Sequence, residues 1–193
     1  MKKKTLALLL IAVLLIGGAA GGTIAYLTDK TEKVVNTFTV GNVDITLEET
    51  TTDFKMVPGT EIAKDPKVTV LKGSVACYLF VKVEKSDNLD QFISYTIDSD
   101  WTAGTKTATE EGNGIPVGVY YREQAAIASD GNDAVYSVLT NDKVKCLDTV
   151  TKAMMDALTE ATYPTLTFTA YACQKDAVKD VVEAWGIVSQ PAT

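Results

Sequence analysis

Between Val75 and Glu84 apolar side chains occupy both parities of an extended segment. Val75, Cys77, Leu79, Val81 and Val83 fall on one parity, Tyr78 and Phe80 on the other. Successive strand side chains point to opposite faces, so such a run is stable only where both faces are covered. The segment predicts a central strand inside a layered β structure, and the rest of the chain has to supply the layers.

The remaining periodicities are mostly of period two. Val43, Ile45 and Leu47 alternate with Asp44, Thr46 and Glu48, which predicts an early strand region over residues 36–47 with a kink at Gly41-Asn42. Residues 50–67 are polar and contain the turn signal Pro58-Gly59. Ile93, Tyr95 and Ile97 predict a short strand over 92–97, followed by Trp101 in a polar hairpin or loop and a Thr/Gly-rich loop over 102–114. Residues 117–121 read as a further strand, and Leu166, Phe168, Ala170 and Ala172 as a late core strand. The cluster Asp130, Gly131, Asn132 and Asp133 reads as a plain turn, since its oxygen donors lack the remaining spacing of a calcium loop.

Two segments carry a different period. Val144, Leu147, Thr151, Met154 and Leu158 recur at three- and four-residue steps, predicting a helix over 142–161 with Met154 and Met155 as core filling. Val178, Val181, Val182 and Trp185 predict a short helix within 174–188 that covers the sandwich edge. Many short strands with one or two helical insertions make the expected fold mainly β, an antiparallel sandwich. Periodicity does not separate a jelly roll from an immunoglobulin-like order.

Composition narrows the chemistry. The 193 residues include 18 Lys+Arg, 25 Asp+Glu and no histidine, for a net charge of -7. An acidic chain lacks the clustered cations from which phosphate-backbone binding draws its affinity, so nucleic acid is not an expected partner. Without histidine, Ser-His-Asp, Cys-His and HExxH chemistries are excluded. No cofactor and no metal site is expected. The acidic pairs Glu48-Glu49, Glu110-Glu111 and Asp98/Asp100 resemble acid-base partners but read as solvated surface.

The beginning of the chain reads as an export signal. Lys2, Lys3 and Lys4 precede an eleven-residue apolar run, Leu6 to Ile16, and then a stretch of small residues. Thr23 and Ala25 fit the two small-residue pockets of a signal peptidase, with Tyr26 as the new N-terminus. An uncleaved membrane anchor is the alternative. Residues 1–25 are thus expected to be a signal peptide and 26–193 a single sandwich domain. The leader holds three of the 18 basic residues and no acid, so the remainder carries a net charge of -10. Cys77, Cys146 and Cys173 form an odd set for an oxidising compartment. One disulfide plus a free thiol, or three buried thiols, are both open, and Cys77 and Cys173 sit in strand-like runs whose pairing spacing alone does not fix.

The junction Gly21, Gly22, Thr23, Ile24, Ala25, Tyr26, Leu27, Thr28, Asp29, followed by the segment from Asn36 to Ile45 and by Pro58-Gly59, resembles the TasA, CalY and camelysin group of Gram-positive bacteria. The stretch from Ala170 to Gln174 and the pair Ala184-Trp185 are also similar to that group. The resemblance implies a jelly-roll-like sandwich, export through a signal peptidase of the SipW type, and polymerisation with itself into extracellular fibres of a biofilm matrix. A co-assembling matrix or anchor protein would be a further partner. It implies that the segment after the cleavage site, residues 26–36, acts as a donor strand completing the sheet of the next subunit. By position the donor comprises Tyr26, Leu27, Thr28 and Asp29 and extends through Val34 and Val35. The name camelysin carries a competing implication, a metallo-endopeptidase, from which the absence of histidine is a departure. A monomeric secreted or surface-attached binding module, with Trp101, Tyr120 and Tyr121 near a ligand groove, is the other reading of the same fold.

Overall fold

The computed structural model describes residues 42–50, 55–107 and 113–190. Among them are ten strands: β1 (Ile45–Glu48), β2 (Glu61–Ala63), β3 (Lys67–Val70), β4 (Cys77–Lys85), β5 (Ile93–Ile97), β6 (Thr102–Ala103), β7 (Val119–Gln124), β8 (Ala134–Ser137), β9 (Leu139–Cys146) and β10 (Leu166–Gln174). Three short α-helices accompany them: α1 (Leu89–Phe92), α2 (Lys152–Asp156) and α3 (Val181–Val188). The named strands pair antiparallel throughout, in three sheets ordered β1-β3-β8, β10-β4-β7-β6 and β2-β9-β5. The protein is mainly β and sandwich-like, as the alternating runs predict.

β4 is the central strand that residues 75–84 demand. It lies between β10 and β7, and its two parities feed two cores. Cys77, Leu79 and Val81 face a large core shared with Ile45 of β1, Val68 and Val70 of β3, Val144 and Cys146 of β9, and Phe168, Ala170 and Ala172 of β10. Tyr78 and Phe80 face a smaller core with Ile115, Val119 and Cys173. α3 closes that second core with Ala184, Trp185 and Val188, and Trp185 meets Phe80 and Tyr171 at ring-centroid distances of 5.3 and 5.5 Å. Asp180 caps the helix by accepting from the Val182 and Glu183 N–H groups, which fixes the start of the helix that the valine spacing predicts.

The predicted helix over 142–161 is corrected. Its first part is β9, where buried Val144 and Cys146 alternate with exposed Lys143 and Lys145. The three- and four-residue spacing is a coincidence of that alternation with Leu147. Thr151, placed on the apolar stripe, is instead the N-cap of α2, its side chain accepting from the Met154 N–H. β2 and β8 are strands that the polar context of residues 50–67 and 125–137 conceals, and β3 begins at the end of the first of these stretches. Residues 117–121 also shift: Val117 is exposed in a turn closed by Val119 N–H to Pro116 C=O at 3.1 Å, Gly118 takes φ 89°, and the strand runs on to Gln124. The turn expected at 130–133 falls two residues earlier, over 128–131, with Gly131 N–H donating to Ala128 C=O, and the Asp133 carboxylate accepts from the Lys72 N–H at 2.8 Å.

Candidate functional site

The sequence-expected cleavage residues Thr23, Ala25 and Tyr26, and the donor residues Tyr26, Leu27, Thr28, Asp29, Val34 and Val35, lie outside the described residues. What the described residues place are the acids, the cysteines, the aromatics and the sheet edges. Each has a defined surrounding.

Glu49, read as solvated, is corrected by its partner. Lys64 is 8% exposed and its ammonium lies 2.6 Å from the Glu49 carboxylate, with the Phe168 ring 5.4 Å away. Beside this pair Lys67 lies 3.3 Å from Asp142 and 3.7 Å from Asp65. Thr50 donates to Asp65 through its hydroxyl at 2.6 Å and its N–H at 3.0 Å, and these bonds hold the Asp65 carboxyl below its ordinary range. Asn141 and Asp142, at φ 57° and 54°, form a bulge in β9 that turns Asp142 toward this cluster. Lysine and threonine donors answer Glu49 and Asp65, while Asp142 meets Lys67 through one oxygen and keeps the other, Oδ1, buried without a hydrogen-bond partner. Asp98 accepts from the Asp100 N–H at 3.0 Å in a local turn, and Glu110-Glu111 lie outside the described residues.

All three thiols are buried and none is joined in a disulfide. The β4–β10 register sets Cys173 opposite Tyr78 and Cys77 opposite Gln174, so the two cysteines project to opposite faces of one sheet. Neighbours across a ladder that point apart cannot be bridged without moving the backbone. Burial pushes the Cys77 thiol up to about 12, with the nearby Cys173 adding to the effect. A thiol so shielded is neither nucleophile nor metal ligand at neutral pH.

The three aromatics expected near a groove are likewise parted. Trp101 is 5% exposed and Tyr120 packs against the large core, whereas Tyr121 faces the small one, 6.5 Å from Phe80. A shallow polar groove of about 220 Å³ does occur elsewhere, over β5 and β9, between Ser94, Thr96, Thr140 and Lys143. Its Lys143 is held by Glu61 at 2.7 Å.

The sheet edges differ in what they offer. β10 is long, but the residues that turn their backbone outward, including Phe168, Ala170 and Ala172, are buried, and β1 runs close beside it. On β5 the outward groups belong to Ile93, Tyr95 and Ile97, and the Ile97 carbonyl already accepts from the Thr140 hydroxyl at 3.2 Å. β8 is different. The Val138 N–H donates to Pro66 C=O, which sets the phase of the β3–β8 ladder: Tyr136 and Ala134 bond to β3, while Val135 and Ser137 turn their backbone groups away. The Ser137 carbonyl accepts from Trp101 Nε1 at 2.9 Å. Among the described residues the Val135 N–H and C=O face no strand, and its side chain is 56% exposed. An edge of this kind is a template for another extended chain.

Beside that edge lies an unusual arginine. Arg122 leaves β7 on the face of Leu79, and its guanidinium stacks on Tyr136 of β8 at 3.6 Å and lies 5.7 Å from the Trp101 ring. The Tyr136 hydroxyl donates to the Gln124 side chain. Arg122 Nε and Nη1 are buried without a hydrogen-bond partner, and the nearest carboxylate, Asp100, stands 3.6 Å from Nη1, too long for a hydrogen bond. The sequence signal for this cluster was weak, because one arginine after two tyrosines reads as an ordinary strand end.

Among the described residues the protein is an antiparallel β-sandwich whose β8 edge leaves the Val135 backbone unpaired by any strand. Residues 1–99, more than half of the chain, match the family model described as camelysin metallo-endopeptidase, and the chain belongs to that family. No curated protein and no solved structure matches it. The metal implied by the family description does not fit the residues placed here. Among the described residues no group of three or more Cys, Asp or Glu is arranged to hold an ion, and Glu49 and Asp65 are answered by Lys64, Lys67 and Thr50, with Asp142 meeting Lys67 through Oδ2 alone. No helix among them is long and apolar enough to cross a membrane.

Proposed function

We propose that this chain is an exported structural protein of an extracellular biofilm matrix that assembles head-to-tail, without enzymatic activity. The segment after the leader, residues 26–36, pairs with the sheet of the next copy once cleavage between Ala25 and Tyr26 has freed it. The observation that carries this reading is the unpaired β8 edge with its exposed Val135. Donor segment and acceptor edge are different surfaces of one chain, so the contact is heterologous and propagates instead of closing. Main-chain hydrogen bonds would supply affinity and alternate side chains register. The net charge opposes non-specific association, which leaves a directional bond to drive assembly.

The test begins with the N-terminal residue of protein recovered from the medium of a Gram-positive host. Protein beginning at Tyr26 is then compared with a form beginning at Thr37 by light scattering and electron microscopy at mildly acidic pH. Filaments from the longer form alone support strand donation. Monomers from both forms leave the sandwich as a binding module, for which the groove between β5 and β9 is the place to look. Casein hydrolysis that survives rigorous purification and is abolished by a chelator would instead establish the peptidase.

A further inference from the structure

We infer that Met154 and Met155 are a modification site, at which hydrogen peroxide converts the two thioethers to sulfoxides and thereby releases residues 151–161 from the large core. The inference goes beyond the assembly reading and does not depend on it. The sulfur atoms of the chain fall into two groups. Cys77, Cys146 and Cys173 are no more than 1% exposed, and a thiol reacts with peroxide as its thiolate, which burial suppresses. Outside the leader the methionines are Met56, Met154 and Met155, and each is only partly buried at the margin of the large core. A thioether needs no deprotonation. Its sulfur lone pair takes one peroxide oxygen, the O–O bond breaks, and the second oxygen leaves as water with both protons, so that sulfur is oxidised by two electrons and peroxide reduced by two.

Met154 and Met155 differ from Met56 in what they hold. Residues 147–165 connect β9 to β10 and are tied down at both ends, by Leu147 N–H to Phe92 C=O at 2.8 Å and by Thr165 N–H to the Ser86 hydroxyl at 2.9 Å. Between those ties, the hydrogen bonds of residues 151–161 among the described residues stay within 151–162: the Thr151 cap, Ala157 N–H to Ala153 C=O, Leu158 N–H to Met155 C=O, Thr159 N–H to the Thr162 hydroxyl, and the Lys152–Asp156 pair. α2 has no fully buried residue, so the stretch is attached by the packing of Met154, Met155 and Leu158 against the large core. A sulfoxide is polar and loses that packing whether it stays without a donor or turns to water. Met56 instead precedes a turn pinned by Gly59 N–H to Cys146 C=O at 3.1 Å and Cys146 N–H to Thr60 C=O at 2.9 Å, so its oxidation frees no segment.

The experiment treats the protein, as its host produces it, with hydrogen peroxide at neutral pH and maps the added oxygen by peptide mass spectrometry. Trypsin cleavage after Lys152, which requires local opening of α2, reports release. The expected result is a sulfoxide at Met154 and at Met155, no oxygen on a cysteine, and cleavage after Lys152 faster by about tenfold or more, since each sulfoxide forfeits the burial of about one methylene or more. The two methionine sulfoxide reductases, one for each epimer, supplied with a thiol reductant, should restore the slow rate. Met154→Leu with Met155→Leu conserves volume and should keep cleavage slow after peroxide, whereas Met56→Leu should respond as wild type does. Thermal melting within a few degrees of wild type identifies a folded double variant. If the double variant does not fold, the mapped oxygens and their reversal by the reductases decide the matter. Oxygen on a cysteine before the methionines, Met154 and Met155 left intact while Met56 is oxidised, sulfoxides at both positions with cleavage unchanged, or acceleration that persists in the folded double variant would each overturn the site.

Discussion

Trp185→Ala is the sharpest test of how the two cores depend on each other. Trp185 is 8% exposed and joins Phe80 and Tyr171 beneath α3. An aromatic of this size buries about 200 Å², which at about 25 cal/mol per Å² is roughly 5 kcal/mol, part of which alanine retains. Truncation of a buried aromatic costs about 3–5 kcal/mol, so about 4 kcal/mol is expected here. With a urea m-value of about 2 kcal/mol per M, the midpoint falls by roughly 2 M. The assay has a built-in reporter. The chain has two tryptophans, and the variant retains only Trp101, which sits in the other core. If β4 couples the cores as described, the Trp101 fluorescence transition moves by the full 2 M and coincides with the loss of circular dichroism. A Trp101 midpoint that stays at its wild-type value, or a total loss below about 1 kcal/mol with m unchanged, would show α3 to be an appendage and refute the two-core account.

Other perturbations read other parts of the fold. Gly186 lies exposed in α3 with no heavy atom within 4 Å of an added Cβ, so Gly186→Ala should raise stability by about 0.5–1 kcal/mol in the same urea assay. Glu49→Ala leaves the buried Lys64 ammonium without its 2.6 Å carboxylate and should cost about 3 kcal/mol, whereas Lys64→Met with Glu49→Leu should recover most of that loss. A double variant as unstable as Glu49→Ala alone would oppose that account. Thr50→Val removes the hydroxyl bond to Asp65 and should cost about 0.5 kcal/mol because the site is exposed. The Asp65 carboxyl titrates below its ordinary 3.8, so its contribution is present above that pH and lost as pH falls through the lower folded value. The difference between Thr50→Val and wild type should therefore hold at pH 6 and vanish toward pH 2 in parallel thermal melts.

The extent to which the sequence foretold this structure follows from what kind of signal each element carries. β4, β5, β10 and α3 were legible because their burial is periodic and their apolar residues are large. β9 was misread because Val144 and Leu147 stand three apart by chance, and only the exposed lysines at 143 and 145 betray the period of two. β3 and β8 are four-residue strands whose core-facing halves are only the buried Val68 and Val70, or the partly buried Ala134 and Tyr136, too short to rise above polar surroundings. The Arg122 cluster is assembled from Asp100, Trp101, Gln124 and Tyr136, drawn from three separate stretches, and no local spacing announces it. Glu49 looked like surface because its partner Lys64 is fifteen residues away and reaches it only through pairing of β1 with β3 and β2 with β9.

The partition of the thiols has a bearing on how such a chain matures. With Cys77 and Cys173 on opposite sides of a continuous ladder and Cys146 sealed in the large core, no covalent cross-link within a copy stands between the nascent polypeptide and its final topology. The folded sandwich is held by burial and hydrogen bonding, with no native disulfide for a thiol oxidase to form. The same tertiary structure is available on either side of a cell envelope.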